Sequence, residues 1–429
     1  MKKYLLIFLI IIYACGTNSP KSTSSADDKS SVKESPPVLA GKFIDEDIPE
    51  SSGTFRALMD MAIDESGLYY VREYVRTVGD FDTKWIITKL HRENVNKRLW
   101  NRTLNFSPDR DYPIVITTDG TGFIYIAGIT GEVRAALVAY WTVLKVASDG
   151  TSIAWSTTYM PMKREDAYII YPPRAIMVDE KTEYIYVGGS IRSVKPEFTG
   201  AFWTIQKISA HNGNILWNKY YDFADTDNSL LYLFPWKNKI IAVGQETQNK
   251  PGGKKQVRIV AIAENNGSLI WEKTFELYAS TSSINDVIIK DDFLYISTCF
   301  DLLKESCMGT KLYKFDLNTQ KLMGAMYLKP DLFHGGVNNI AFYEKGILFA
   351  SMDPREGYYG FRLARIDPDL KEVIWIEDYV VRKNENTVPI EMLYYDGKLY
   401  IGGYLQKPPP DPSYANFVVR LEWPKEEGK

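Results

Sequence analysis

Only three histidines occur in the 429 residues, His91, His211 and His334. A catalytic zinc site takes two or three converging imidazoles, and a Ser-His-Asp hydrolase needs one beside a nucleophile. His91 and His211 fall in equivalent turns of an internal repeat, and no Gly-x-Ser-x-Gly elbow is present to expose a serine. Carboxylates are more numerous. They gather beside aromatics in loops, as Asp45-Glu46-Asp47, Asp109-Arg110-Asp111-Tyr112, Glu165-Asp166 near Tyr168 and Tyr171, and Asp222-Phe223 with Asp225 and Asp227. None has the Asp-x-Asp-x-Asp-Gly order of a calcium loop. Aromatic anchors in a polar surround suit a protein interface better than a reaction centre. No catalytic residues, metal ligands or cofactor site are expected.

The elements that position these loops show as a repeat. An apolar-Tyr-apolar-small strand occurs at Leu68-Tyr69-Tyr70-Val71, Ile124-Tyr125-Ile126-Ala127-Gly128 and Ile185-Tyr186-Val187-Gly188-Gly189. It recurs at Ile240-Ile241-Ala242-Val243-Gly244, Leu294-Tyr295-Ile296-Ser297, Ile347-Leu348-Phe349-Ala350-Ser351 and Leu399-Tyr400-Ile401-Gly402-Gly403, at intervals of roughly 52 to 61 residues. Each copy follows a short apolar strand and a turn, and precedes an alternating strand such as Trp141-Thr142-Val143-Leu144-Lys145-Val146. A last strand carries Trp at 100, 155, 217, 271 and 375, with Met323 taking that place in the fifth copy. Four short strands per repeat with no helical periodicity predict an all-β, seven-bladed β-propeller of four-stranded antiparallel blades. The seventh copy ends at Phe417-Val418-Val419-Arg420-Leu421 without a fourth strand. Leu39-Ala40-Gly41-Lys42-Phe43, with Leu39 at the Trp position, is expected to close that blade and remove two sheet edges.

The N-terminus has a basic start, Met1-Lys2-Lys3, and an apolar run from Tyr4 to Ala14. That run is shorter than the roughly 20 residues of a membrane-spanning helix and fits a signal peptide. Ile12-Tyr13-Ala14-Cys15 resembles the lipobox of bacterial lipoproteins, which implies cleavage before Cys15, lipidation of its thiol, export, and anchoring to the cell membrane or outer membrane. Residues 1–14 are therefore expected to be a signal peptide. Residues 15–37, rich in Ser, Thr, Lys and Asp, are expected to be a lipidated Cys and disordered tether, 38–424 the propeller and 425–429 a tail. The formal charge is −3, or −5 without the signal peptide. No strongly basic face is available for nucleic acid. A monomer anchored in a lipid bilayer is expected.

Gly79-Asp80-Phe81-Asp82, Lys89-Leu90, Leu99-Trp100, Asp119-Gly120 and Ile124-Tyr125-Ile126-Ala127-Gly128 together resemble the bacterial SBBP propeller repeat. Asn212-Gly213-Asn214-Ile215-Leu216-Trp217 and Asn266-Gly267-Ser268-Leu269-Ile270-Trp271 resemble the PQQ-like repeat. The likeness spans about 39–423 and implies architecture. Such folds include quinoprotein dehydrogenases and an envelope scaffold lipoprotein, but the vicinal cysteines and the acid-and-amide set of a quinone site are missing here. Cys299 and Cys307 flank one strand-to-strand connection. In an exported chain they are either a disulfide or two free, partly buried thiols.

The axial mouth of a propeller is bounded by the segments entering the innermost strands. Those segments offer Arg56, Tyr112, Arg174, Asp286, Asn339 and Glu391 as ligand-binding candidates. Their identities differ from blade to blade where core positions recur. The expected function is a membrane-anchored, non-enzymatic binding or scaffold protein engaging a protein, peptide or glycan. The alternatives are a propeller-type lyase or glycan-active enzyme, favoured if two or three carboxylates converge in the funnel, and a quinoprotein-like redox protein.

Overall fold

The computed structural model describes residues 35–45, 57–74, 83–108, 110–133, 138–163, 167–179, 181–193, 200–223, 226–248, 255–277, 282–302, 307–329, 333, 338–352, 360–407 and 414–424. The expected signal peptide, most of the tether, the tail and Arg56 lie outside them. The described residues form seven four-stranded antiparallel sheets and no helix. Blades 1 to 6 span 58–104, 110–159, 167–221, 226–276, 283–328 and 338–380, and blade 7 joins 386–422 to the N-terminal strand Val38–Asp45. The chain is a seven-bladed β-propeller.

The closing strand pairs antiparallel with Tyr414–Glu422, setting Phe43 opposite Val418 and Asp45 opposite Asn416. Asp45 is fully buried. It is ion-paired with Arg72 and Arg98 at 3.2 Å each and accepts the Tyr70 hydroxyl at 2.6 Å. All three partners belong to blade 1, so the strand that completes blade 7 is fastened to its other neighbour as well.

A repeated contact joins the blades. Lys89 Nζ and Trp100 Nε1 of blade 1 donate to the Ser148 carbonyl in the outer turn of blade 2, at 2.8 and 3.1 Å. Lys145 and Trp155 do the same to Ala210, both at 3.0 Å, and Lys207 reaches the Glu264 carbonyl at 3.1 Å. Each lysine lies over the tyrosine of its own blade's repeat strand, namely Tyr69, Tyr125 and Tyr186. Nearer the axis, Trp85, Trp141 and Trp203 are wholly buried. Their rings would lie 2.6, 2.7 and 2.4 Å from a Cβ added at Gly128, Gly189 and Gly244 of the next blade. The glycine ending the repeat strand is therefore a seat for the neighbouring blade's indole.

The rim differs from expectation at two positions. Every outer strand carries a bulge, which adds an unpaired residue and shifts the ladder. Arg420 consequently pairs with Gly41 and Lys314 with Gly324, so these glycines, not Leu39 and Met323, stand where Trp155 faces Lys145. The turn opposite changes in step. Gly150, Gly213 and Gly267 each have positive φ, and a Cβ there would meet Trp100, Trp155 and Trp217. Blade 6 has Leu370 at φ 58°, buried in a cluster with Tyr295 and Phe333. Its N–H bonds the Asp367 carbonyl just as Gly150 bonds Ala147. A bulky turn residue thus substitutes for the missing indole, in a backbone conformation unfavourable for Leu.

Two stability predictions follow from these joints. Asp45→Ala, which strands Arg72 in the interior, should lower the unfolding free energy by about 3–5 kcal/mol in denaturant titrations. Leu370→Gly should cost about 2–5 kcal/mol by leaving a void. Adding Gly324→Trp should recover part of that loss, whereas Gly324→Trp alone should not stabilise, giving a non-additive double-mutant cycle.

Candidate functional site: the axial channel

The innermost strands converge on the axis, and six of the seven carry a one-residue bulge there. The unpaired residues are Met59, Ile114, Arg174, Leu231, Asn285 and Ile390. Blade 6 has a continuous ladder. Past the bulge, one residue per blade pairs with the same repeat-strand position. Asp60 faces Val71, Val115 faces Ala127, Ala175 faces Gly188 and Tyr232 faces Val243. Asp286 faces Ser297, Asn339 faces Ala350 and Glu391 faces Gly402. These seven form one ring.

The ring is uneven. Blades 5, 6, 7 and 1 contribute Asp286, Asn339, Glu391 and Asp60 in succession, whereas blades 2 and 3 contribute Val115 and Ala175. The channel they enclose has a volume of about 500 Å³. Several ring residues bridge to the next blade. Asp60 accepts the Ile116 N–H and Asp286 the Ile340 N–H, both at 2.8 Å. Each gives its other oxygen to the following residue on its own strand, Met61 at 2.8 Å and Val287 at 2.7 Å. Asn339 donates to the Pro389 carbonyl at 3.1 Å, and Tyr232 donates to that of Asn285 at 2.6 Å. Glu391 accepts the N–H of its own neighbour Met392 at 3.2 Å.

The hub acids bind protons more tightly than ordinary carboxyls. Burial pushes Asp60 and Asp286 up to about 7 against the opposing pull of their backbone hydrogen bonds. Glu391 is raised well above its usual range, first by burial and then by the charges of Asp60 and Asp286. Burial is also the main reason that Tyr232 keeps its proton; Arg174 opposes it.

Of the six candidates from sequence, Asp286, Asn339 and Glu391 occupy ring positions and Arg174 lines the channel at a bulge, exposed. Tyr112 stands apart: it pairs with Ile129, packs against the core between blades 2 and 3, and lies under Arg110 at 4.7 Å. Asp60 and Tyr232 were missed. The signal that could have found them is distance back from each repeat strand, counted with one extra residue for the bulge.

Of the loop acids, Glu46, Asp47, Asp109, Glu165, Asp166 and Asp225 lie outside the described residues; Asp45 and Asp111 are buried, Asp227 is half-buried and Asp222 is exposed. Asp111, fully buried, accepts the N–H groups of Phe106, Ser107 and Gly131. Asp227 pairs with Arg192 at 2.5 Å and accepts the Ala201 N–H. Among the described residues no group of three His, Cys, Asp or Glu is placed to hold a metal ion. A second cavity, of about 530 Å³, opens beside Phe223 and Arg258, but Arg258 is already paired with Glu246 and Glu272.

The cysteine pair is corrected. Cys299 lies opposite Thr310 and Cys307 opposite Leu302, three ladder positions apart. That is about 10 Å along the strands, too far for the roughly 5.5 Å between bridged Cα atoms. The Cys299 thiol is free and buried, 3.1 Å from both Ser283 Oγ and Asn285 Oδ1, and burial pushes its pKa up. The Cys307 side chain lies outside what is described.

No family model matches the chain, and no curated protein matches it. Its similarities are to solved structures. Hydrazine synthase of Kuenenia stuttgartiensis aligns at 10% identity over 88% of this chain and 98% of that one, with a TM-score of 0.52. The extracellular domains 1–2 of Drosophila Semaphorin 1b align at 6% identity over 91% and 88%, with a TM-score of 0.47. A subtype N10 neuraminidase-like protein of A/little yellow-shouldered bat/Guatemala/060/2010 aligns at 9% over 90% and 99%, with a TM-score of 0.40. At these identities the likeness is one of fold.

A buried thiol with a raised pKa should resist modification. Native protein should leave Cys299 unlabelled by iodoacetamide at pH 8, and denatured, unreduced protein should label it fully by peptide mass spectrometry. A Cys299–Cys307 linked peptide would contradict this register.

Proposed function

We propose that the chain is a membrane-anchored, non-enzymatic binding protein of the cell envelope, held through lipid on Cys15 and taking its ligand at the axial channel. The observation that carries this reading is the broken symmetry of the hub. A channel needed only to complete the ring has no reason to gather Asp286, Asn339, Glu391 and Asp60 on one arc. Set against them are the apolar wall of blades 2 and 3 and the exposed Arg174. A mixed wall of this kind orients a ligand by a few polar groups on an apolar surface. A protein, peptide or glycan end entering the mouth matches that description, and the SBBP or PQQ-like blades serve as the rigid frame.

A second reading, a lyase or glycan-active enzyme, draws on Glu391. Its carboxyl is raised well above the usual range by burial, the direction of shift that a general acid needs. Asp60 and Asp286 join Glu391 on the channel wall, the convergence of carboxylates that favours an enzyme; against it, each of the two aspartates has both oxygens bound to backbone amides.

The test has two arms. Alkyne-palmitate should label the wild-type protein in growing cells and fail to label Cys15→Ser, which should leave the membrane fraction. Native mass spectrometry of protein extracted from its own membranes in mild detergent should show a bound mass that Arg174→Ala releases. A bare protein in the second arm removes the binding reading. A turnover abolished by Glu391→Gln replaces it with the enzymatic one.

A further inference from the structure

Two charged side chains of the channel wall are left without a charged partner. Arg174, at the inner bulge of blade 3, makes no ion pair or hydrogen bond among the described residues. Glu391, in the ring position of blade 7, accepts only the Met392 N–H, through one of its two oxygens. Arg174 precedes its own blade's ring residue by one, so the two stand at nearly the same height, on blades that lie across the ring from each other. We propose that the channel takes a small zwitterion, an amino acid or short peptide with both ends free, its ammonium group at Glu391 and its carboxylate on Arg174. The assignment rests on the axial channel being the binding site and names what that site holds.

Each end of such a molecule meets matching chemistry. A guanidinium presents its N–H groups as a fork that fits a carboxylate in two parallel bonds. An ammonium carries three donors, and Glu391 offers its unbonded oxygen. Asp60 and Asp286 stand on the same arc, and each of their oxygens takes one backbone N–H and keeps a second lone pair. Between the two ends, blade 2 offers Ile114 and Val115, and blade 4 offers the near-parallel rings of Tyr232 and Phe234, 6.2 Å apart. The channel volume of about 500 Å³ falls among small-molecule sites of about 300–1,000 Å³. A purely anionic ligand would meet three acids, and a plain amine would leave Arg174 unpaired. A neutral glycan would leave both charges unpaired.

Occupied and empty channels differ in protons as well. Burial pushes Asp60 and Asp286 up to about 7, and Glu391 well above its usual range. The other titratable groups facing them are Arg174 of blade 3 and Tyr232 of blade 4, while the wall residues of blades 2 and 6 do not titrate. A ligand ammonium beside these acids favours their charged form, so binding below about pH 7 must expel a proton. Affinity should therefore fall as pH drops below neutrality, by about tenfold per pH unit for one proton. Above about pH 8 the ligand's own terminal amine loses its charge, and affinity should fall again.

Titration calorimetry of the detergent-solubilised full chain with the peptides Leu-Leu and Ala-Ala-Leu tests the assignment. Both free peptides should bind, and N-acetylation or C-terminal amidation should each weaken binding by about tenfold or more. Arg174→Ala should shrink the penalty of amidation and keep that of acetylation, and Glu391→Gln should do the reverse. Unchanged near-ultraviolet circular dichroism spectra show that both variants fold. At about pH 6, heats measured in buffers of different ionisation enthalpy should report the released proton. No binding of either free peptide, or blocked peptides that bind as well as free ones, overturns the proposal. In native mass spectrometry, a bound molecule carrying neither an amine nor a carboxyl also overturns it while leaving axial binding in place, whereas a bare protein removes the binding reading itself.

Discussion

A ring of seven wedges closes only if every interface takes up the same angle, and this chain meets that constraint by pairing a large ring with a missing side chain. Trp85 on Gly128, Trp141 on Gly189 and Trp203 on Gly244 make one such joint near the axis, and Trp100 on Gly150 and Trp155 on Gly213 make another at the rim. An interior packed to crystal-like density cannot take an extra methyl at either point without opening the wedge. The lysine and indole donors on the next blade's turn carbonyl then fix the height at which neighbours slide past each other. Local sequence and global closure are thus one requirement. The blade with Gly324 shows it, since loss of the rim indole is met by Leu370 at the cost of backbone strain.

The same convergence that packs the rim concentrates charge at the hub. Seven inner strands bring one side chain each to the same height around a narrow channel, so acids far apart in sequence become neighbours. Arg174 comes from blade 3, outside the arc of blades 5, 6, 7 and 1 that carries them. Asp60 and Asp286 answer by taking two backbone N–H groups each, which doubles as a tie to the next blade. The inner bulges make room for this by turning one residue out of the ladder and pointing the next along the seam.

Blade number, strand order and closure were readable from the sequence because the residues that repeat are those that touch the next blade. Tyr69, Lys89, Trp100 and their counterparts recur at fixed spacing since each interface repeats. The frame of the hub was not readable to the residue. A bulge leaves no mark in an apolar run such as Pro113-Ile114-Val115, so the ring position lay one or more residues away from where an unbroken strand would put it. Arg174 and Tyr112 were singled out for this reason, while Asp60 was passed over. Asp286, Asn339 and Glu391, like Asp60 between Met59 and Met61, are polar residues in an apolar strand, a signal that marks the ring where spacing does not. The disulfide expectation failed through register of a different kind. A hairpin brings its ends together, but only the ladder decides which two residues face, and there Cys299 meets Thr310.

Departures from the repeat are not scattered. On the third strand the indole position reads Trp85, Trp141 and Trp203 in the first three blades, then Val257, Thr310, Phe361 and Asn416. At the rim, Gly324, Leu370 and Gly41 all fall in blades 5 to 7, and in the hub the polar arc runs from blade 5 through 7 into 1. One half of the disc is therefore built of uniform, indole-on-glycine joints, and the other of polar and makeshift ones. Interfaces of the second kind replace the indole-on-glycine joint with other contacts, such as Tyr343 and Tyr394 on Trp423 between blades 6 and 7 and Asp45 with Arg72 between 7 and 1. A seven-fold frame has no inherent front or back around its axis. This chain acquires one by concentrating its irregular joints on a single arc, which is also the arc that receives the N-terminal strand.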